Sequence, residues 1–308
     1  MTTHARPRPD ERSAPAAAVG APGPVARRRD PGRTTARIRP LLAAALRAPG
    51  VTLSVLFMVL MGGWLLAPGV FATHHPLEAV GDSLAPPGRE FWFGTDLNGR
   101  DVYSRVVHGA RLSLLAGVVA VMISLVLGGL LGMLAGYLGG VVDAIISRAV
   151  EVLVSIPGLL LSLAIISVLG FGVDKVAIAV GIAGIPGMVR IARAETLRIV
   201  NLPYMDAAAT SGTRRLTGIL THVVPNASGA IGVVAGIDLG GAILAVASLS
   251  FLGFGAVPPD PEWGSQINEG RMYISNAWWW TVFPSVVAGL TVLSVNRLSR
   301  GIGTREVR

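Results

Sequence analysis

The sequence predicts an all-α integral membrane protein, a bundle of about six transmembrane helices. Of its 308 residues, 52% are hydrophobic and only 14% are charged, whereas soluble domains carry roughly 25% charged residues. The mean hydropathy is +0.61. Apolar blocks also recur at lengths close to the ~20 residues that a helix needs to cross a bilayer. The chain therefore has too few charged side chains to cover a water-facing surface.

Six apolar blocks predict the six crossings. Their predicted limits, in chain order, are residues 51–66, 112–138, 144–169, 176–192, 227–250 and 278–295. In the third block, Pro157-Gly158 predicts a kink or a helix restart. In the second block Gly128, Gly132 and Gly136 share one helix face. That spacing indicates either a close approach by a neighbouring helix or the general glycine enrichment of membrane helices.

The composition also divides the chain along its length. Residues 1–49 are rich in Arg, Pro and Ala, which predicts a disordered cytoplasmic tail. A targeting peptide is the alternative interpretation, but no small-residue cleavage site follows the first apolar block. Residues 50–111 contain the first helix and a polar outer segment, residues 112–297 the membrane core, and residues 298–308 a second cytoplasmic tail.

The basic residues predict the orientation. A net charge of +8 would suggest a nucleic-acid partner in a soluble protein, but basic residues accumulate in the cytoplasmic loops of membrane proteins. With the amino terminus inside, 20 of the 26 basic residues fall on the cytoplasmic side. Both termini are therefore predicted to be cytoplasmic, in a multi-pass membrane protein.

Several classes of chemistry are not expected. The chain contains no cysteine, which excludes disulfides, thiol catalysis and cysteine-ligated metals. His74-His75 is the only pair of adjacent histidines, and no further ligands lie near it in sequence, so no metal site is predicted. A membrane enzyme would need a paired nucleophile and base or a set of metal ligands at membrane depth. No such set is recognisable.

One acid, Asp238, falls inside a predicted span, near its middle. An intramembrane ionisable residue is a functional candidate, and we expect Asp238 to line a solute cavity. An ion-coupled secondary transporter acting alone is the alternative. It predicts several intramembrane charges and an inverted repeat, and no obvious repeat is present.

The loop 190–226 is too polar for the membrane and too regular for a random linker. Residues 190–197 extend the fourth helix. Pro203 is suited to the first turn of a short helix, Asp206 lies favourably near the amino end of that helix, and Gly212 ends it. This segment either docks into a groove of another protein or forms a merely solvated loop.

Four segments resemble one known family. Asp206-Ala207-Ala208-x-x-x-Gly212, followed by His222-x-Val224-Pro225-Asn226, resembles the EAA loop of ABC importer permeases, in particular the C-type permease of the dipeptide/oligopeptide/nickel group. Residues 94–105 resemble its GTDxxGRDxxSR signature, residues 136–143 its GYxGGxxD turn, and residues 249–264 its LSFLG outer loop. The resemblance covers residues 50–297.

The resemblance implies a permease subunit of an importer for peptides or a related solute, nickel included, in the bacterial cell membrane. A coupling helix in the cytoplasm would contact a separate ATPase through Asp206, Ala207, Ala208, Gly212, His222 and Pro225. The chain contains no GxxxxGK[ST] sequence, so ATP is expected on partner subunits and no cofactor on this chain. The implied partners are a second homologous permease, two cytoplasmic ATPases, an extracellular or periplasmic solute-binding protein and membrane lipid, without nucleic acid.

Two departures and one ambiguity remain within the resemblance. Within the outer segment, residues 94–105 alternate acids with arginines, namely Asp96, Arg100, Asp101 and Arg105. These residues form either a gate or binding-protein contact, or a structural turn that pairs with itself. Asp206 replaces the glutamate of the motif. Val246 occupies a position where the family often carries an acid, and Asp238, eight residues earlier, is a possible substitute.

Overall fold

The computed structural model describes residues 49–203, 205 and 215–306, and these residues contain eleven α-helices. In chain order the helices are α1 (Pro49–Leu66), α2 (Pro68–Phe71), α3 (Val102–Ile123), α4 (Gly129–Leu138), α5 (Gly140–Val154), α6 (Gly158–Leu169), α7 (Val173–Val200), α8 (Arg215–Gly218), α9 (Val224–Leu249), α10 (Trp263–Gly270) and α11 (Trp278–Glu306). Within this part of the chain the β structure is limited to two isolated bridges in the outer segment. The predicted all-α class is confirmed.

Five helical segments of the described chain are long and apolar enough to cross a membrane. They are Pro49–Leu66, Val102–Leu138, Val173–Val200, Thr221–Phe254 and Trp278–Arg300. A sixth crossing is possible as a broken one, because α5 and α6 pass the same test together but are bent by 93°. Pro157 precedes the first residue of α6. The helix restart, one of the two interpretations of Pro157-Gly158, is the one the structure adopts.

The second span begins ten residues earlier than predicted. Asp101 caps α3, accepting hydrogen bonds from the backbone N–H groups of Tyr103 (3.3 Å) and Ser104 (3.0 Å). One π-helical turn, Ser124–Gly128, then joins α3 to α4 without a break. The boundary expected between residues 111 and 112 therefore lies inside a helix. The first turns of α3 are polar because they pack against protein and not against lipid. Hydropathy is a poor guide to helix limits in such a place.

The last helix is also longer than predicted. α11 continues to Glu306 and passes through most of the segment, residues 298–308, that was expected to be a tail. Residues 1–48, which include the arginine-rich tail, lie outside the described part of the chain.

Glycines bring α4 against α7. A Cβ placed on Gly132 would lie 2.5 Å from the carbonyl oxygen of Val189, and one on Gly136 would lie 2.8 Å from the Cβ of Thr196. Both distances are shorter than real Cβ contacts, so these positions must be glycine for the helices to approach this closely. Of the two interpretations of the glycine spacing, close helix packing is confirmed.

Buried apolar side chains form two clusters. One lies between α3, α7 and α9 and includes Met188, Val223 and Val246. The other includes Trp263 and Trp279 together with Val102 and Val106 of the first turns of α3. Many large apolar side chains on α1, α3, α5 and α6 are exposed in the isolated chain. Such extensive apolar exposure is expected for surfaces that face lipid or a partner subunit.

Candidate functional site

The predicted ATPase-contact segment is only partly within the described residues. Asp206, Ala207, Ala208 and Gly212 lie outside them. On the entry side α7 continues to Val200, so the predicted extension of the fourth helix is confirmed. On the exit side His222 is half-buried in a π-helical turn that leads into α9, and its carbonyl oxygen accepts a 2.6 Å hydrogen bond from Asn226 Nδ2.

Pro225 is the second residue of α9, directly after the π-helical turn Ile219–Val223. The side chain is exposed. His222 and Pro225 therefore lie where the loop returns to the membrane core, and their predicted contact with an ATPase stays a prediction.

Asp238 lies in the wall of a cavity of about 590 Å³. Most of the wall is apolar or glycine, contributed by α3, α6, α7 and α9. Its polar members are Ser124, Ser162, Asp238, Asn296 and Arg300. The Asp238 carboxylate is exposed and has no hydrogen-bond or ion-pair partner among the described residues. The cavity thus combines an apolar wall with one unpaired carboxylate and, on α11, a guanidinium and an amide.

Asp238 lies near the middle of its own span, Thr221–Phe254, and beside the end of another span. A Cβ on Gly236 would lie 2.9 Å from Ser299 Oγ, and one on Gly240 would lie 2.7 Å from Asn296 Oδ1. Asp238, between these glycines, is therefore level with the carboxy-terminal end of the Trp278–Arg300 span, rather than with its middle. The span that contains Asp238 has 34 residues. At 1.5 Å per residue it is about 50 Å long, so its centre need not coincide with that of a ~30 Å bilayer core.

Val246 and Asp238 have different surroundings. Val246 is fully buried in the cluster between α3, α7 and α9, whereas Asp238 is exposed in the cavity. Eight residues correspond to about 80° of rotation around a helix. The suggestion that Asp238 takes the place of an acid at position 246 is therefore not supported by the geometry.

The four charged residues of the 94–105 segment are all buried. Asp96 has no exposed surface, and its two carboxylate oxygens accept bonds from the Asn98 and Arg100 backbone N–H groups and from Arg100 Nε (2.6 Å). Asp101 also accepts a 2.8 Å bond from Thr73 Oγ1. This is the arrangement expected of the self-paired structural turn. A role for these four residues in gating or in binding-protein contact is not tested by it.

Arg105 joins the outer segment to the loop before α10. Its side chain is fully buried. Nη1 lies 3.3 Å from the carbonyl oxygens of both Pro76 and Pro259, and Nη2 lies 3.5 Å from Glu269 Oε2. Burial raises the pKa of the Glu269 carboxyl, while the charges of Arg105 and Arg100 act in the opposite direction. A buried arginine thus holds together three segments that are distant in sequence.

The 258–263 loop is anchored in the protein at its end. Glu262 is fully buried, caps α10 through the Ser265 N–H (2.8 Å) and accepts a 3.0 Å bond from Ser113 Oγ. Trp263 is also fully buried, and its Nε1 donates a 2.9 Å bond to the Val106 carbonyl. The loop is therefore attached to α3 by hydrogen bonds as well as by apolar contact.

Comparison with known proteins identifies the family. The family model of the binding-protein-dependent transport system inner membrane component matches residues 128–305, more than half of the chain. The chain belongs to this permease family. Membership confirms the ABC importer permease resemblance and makes the chain a multi-pass inner membrane subunit that works with an ATPase and a binding protein. The permease is a transport component and has no catalytic role of its own.

Individual relatives agree with the family match. The permease is 40% identical over 258 residues, 84% of each chain, to a glutathione transport system permease protein of Salmonella paratyphi A. It is 45% identical over 216 residues to the protein of the same name from Shigella flexneri, covering 70% of this chain and 71% of the relative. The family match covers the α6, α7, α9 and α11 parts of the cavity wall and both sides of the 204–214 stretch.

The sequence did not single out some residues that organise these regions. Glu269 was missed because its arginine partner Arg105 is 164 residues away. The Asp143–Arg193 ion pair, which joins α5 to α7, was missed although Asp143 lies in the 136–143 segment that resembles the family. The two residues are 50 apart in sequence, and no local pattern connects them.

Proposed function

We propose that the permease forms one half of a membrane pathway for peptides or peptide-like solutes. A second, homologous permease subunit would supply the other half. Both termini would lie in the cytoplasm of a bacterium, where two ATPase subunits bind ATP, and a solute-binding protein would deliver solute from the opposite side. The observation that carries this proposal is the cavity in which the unpaired carboxylate of Asp238 faces an otherwise apolar wall.

The chemistry of the cavity matches a peptide. The Asp238 carboxylate suits the ammonium group at the amino end of a peptide, since charge-assisted hydrogen bonds are the strong ones. Arg300 and Asn296, in the same wall, offer donors for a peptide carboxylate. The apolar remainder tolerates varied side chains. Glutathione, the solute in the names of the relatives, carries both an ammonium group and carboxylates, which favours it as the first solute to test.

The test of the solute is uptake by the complete transporter reconstituted in vesicles. We expect Asp238→Asn to lower uptake of labelled glutathione about tenfold, because a charge-assisted hydrogen bond contributes about 1.5–3 kcal/mol and 1.4 kcal/mol is a factor of ten. Asp174→Asn is the control, since Asp174 is an exposed acid paired with Lys175 at the start of α7. Uptake of Ni²⁺ in place of glutathione, or normal uptake by Asp238→Asn, would contradict the proposal.

Coupling to the ATPase is proposed for the segment that contains Asp206 and Gly212. This proposal rests on the EAA-like pattern and on the helices that lead into and out of the segment. We expect Gly212→Trp to abolish co-purification of the ATPase subunits while the protein still inserts in the membrane. Asp206→Glu, which restores the acid of the family motif, should bind them normally. Uptake by the permease alone, without any ATPase, would favour a secondary transporter instead.

A further inference from the structure

The turn between α4 and α5, residues 136–143, has a shape that glycine imposes. Gly139 and Gly140 have φ values of +62° and +55°, a region that residues with a Cβ rarely adopt. Neither glycine has a neighbour within 4 Å of an added Cβ, so backbone conformation, not crowding, requires glycine here. We refer to residues 136–143 as the GG turn.

The GG turn is joined to the entry side of the proposed coupling segment. Arg193 of α7 binds the Asp143 carboxylate through two nitrogens, with Nη2 2.7 Å from Oδ2 and Nε on Oδ1. Ser147 Oγ donates a further 3.1 Å bond to Asp143. Beside this pair, a Cβ on Gly136 would lie 2.9 Å from the Arg193 carbonyl oxygen. A two-point arginine–carboxylate contact fixes orientation as well as distance.

The same turn contacts the exit side of that segment. A Cβ on Gly218, the last residue of α8, would collide with the Tyr137 hydroxyl and would lie 3.3 Å from its Cζ. Tyr137 also packs against the buried cluster between α3, α7 and α9. Arg193 and Gly218 lie on opposite sides of residues 204–214 in sequence, and both lie against one eight-residue turn.

The Asp143–Arg193 pair is poorly suited to a purely stabilising role. Its side chains are 21% and 36% exposed, and pairs that water reaches contribute about 0–1 kcal/mol. Its two-point geometry is therefore more important for position than for stability.

We propose that the GG turn is a bracket that holds the two helix ends on either side of residues 204–214 at a fixed separation. Asp143 and Tyr137 are its positioning residues. Because the bracket belongs to α4 and α5, a push on the coupling segment moves α4 and α5 together with α7 and α9, instead of spreading the two helix ends apart. This proposal rests on the coupling role proposed above.

The chain contains no cysteine, so cysteines introduced for spin labelling are the only ones that this chain offers to the label. Ala194→Cys on α7 and Thr221→Cys beyond α8 are both at exposed positions, one on each side of residues 204–214. Their label-to-label distance is measured by pulsed EPR in the complete transporter, nucleotide-free and with a non-hydrolysable ATP analogue. The bracket predicts one narrow distribution that is the same in both states.

Three test variants and one control, all in the labelled protein, show whether the ion pair and the Tyr137 contact set the label-to-label distance. Asp143→Ala should broaden the distribution, and adding Arg193→Ala should broaden it no further, because both remove the same interaction. Gly218→Ala should broaden it by displacing the Tyr137 ring while leaving the ion pair intact. Arg148→Ala is the control, since it removes an exposed pair with Glu151 one helical turn or so further along α5, and it should leave the distribution unchanged.

The outcomes distinguish the bracket from the coupling role. If the distance changes with nucleotide in the unmodified bracket, or if Asp143→Ala leaves the distribution narrow, the bracket is overturned. Co-purification of the ATPase subunits, measured on the same samples and on Gly212→Trp, reports the coupling role separately. Normal ATPase binding with a changing distance would therefore reject the bracket alone.

Discussion

Two regions of the permease, residues 94–105 with their contacts and the GG turn with its contacts, are held together by different physical means. Around residues 94–105, buried charges bind to one another and to backbone carbonyls, as Arg105 does with Asp96, Glu269 and the carbonyl of Pro259. Around the GG turn, the described residues contain one partly exposed ion pair between helices, Asp143–Arg193, beside close glycine contacts such as that of Gly136 with Thr196. Close glycine contacts occur in both regions, and the buried polar network distinguishes the first.

The difference matters for movement. A buried polar network tolerates little rearrangement, because any broken bond leaves an unpaired polar group away from water. Helices packed through glycines can shift as rigid bodies without leaving such groups behind. We infer that the region around residues 94–105 stays intact during transport, while the helices around the GG turn, beside the proposed coupling segment, move.

The largest expected effect is at Arg105. Arg105→Ala should lower the free energy of unfolding by about 3 kcal/mol, because it removes a fully buried cation that faces Glu269 and donates to the Pro76 and Pro259 carbonyls. Thermal unfolding in detergent measures the loss. Arg148→Ala, which removes an exposed charge, should change the melting temperature little. Equal melting temperatures for the two variants would show that the outer network is not the more rigid region.

An intermediate effect is expected in the glycine contact. Gly132→Ala should cost about 1–3 kcal/mol, since the new Cβ meets the Val189 carbonyl and α4 must move away from α7. Gly129→Ala is the matched control on the same helix, because nothing lies within 4 Å of its Cβ. That variant should be neutral or slightly stabilising, as alanine favours helix over glycine. Identical unfolding curves for the two variants would rule out shape as the main constraint here.

The smallest effect is the pH dependence of the outer network. Burial raises the pKa of Glu269 above its usual 4.5, so the folded state favours the protonated acid. Its contribution to stability is therefore fully present below pH 4.5 and is lost as the pH rises through the folded-state pKa. The melting temperature of the unmodified permease should fall across that interval relative to Glu269→Gln. A difference between the two proteins that widens in the opposite sense would mean that Arg105 and Arg100 outweigh burial.

Much of the fold could be read from local sequence. The all-α class and most of the crossings follow from apolar blocks, and the break at Pro157 follows from a residue that cannot continue a helix. Helix limits were less accurate, since α3 begins at Val102 with polar turns that hydropathy excludes. Those turns are polar because Arg105, which lies in them, binds the Pro259 carbonyl of the 258–263 loop, 154 residues away.

The candidate site shows the same division. An acid among apolar residues identified Asp238, and the order of four short motifs identified the family. Which part of α11 lies beside Asp238 could not be predicted, because it depends on how α9 packs against α11 through Gly236 and Gly240. Whether the outer acids and arginines faced a partner or each other could not be read either, since both arrangements use the same residues.

By itself, the sequence determined the membrane class, the family and the residue types available to each region, because hydropathy and short motifs are local properties of the chain. Only the tertiary structure decided which charges pair, which glycines contact a neighbouring helix and which acid lines a cavity without a partner among the described residues. Those outcomes depend on contacts between segments that are 50 to 164 residues apart, and local sequence does not specify which distant segments will meet.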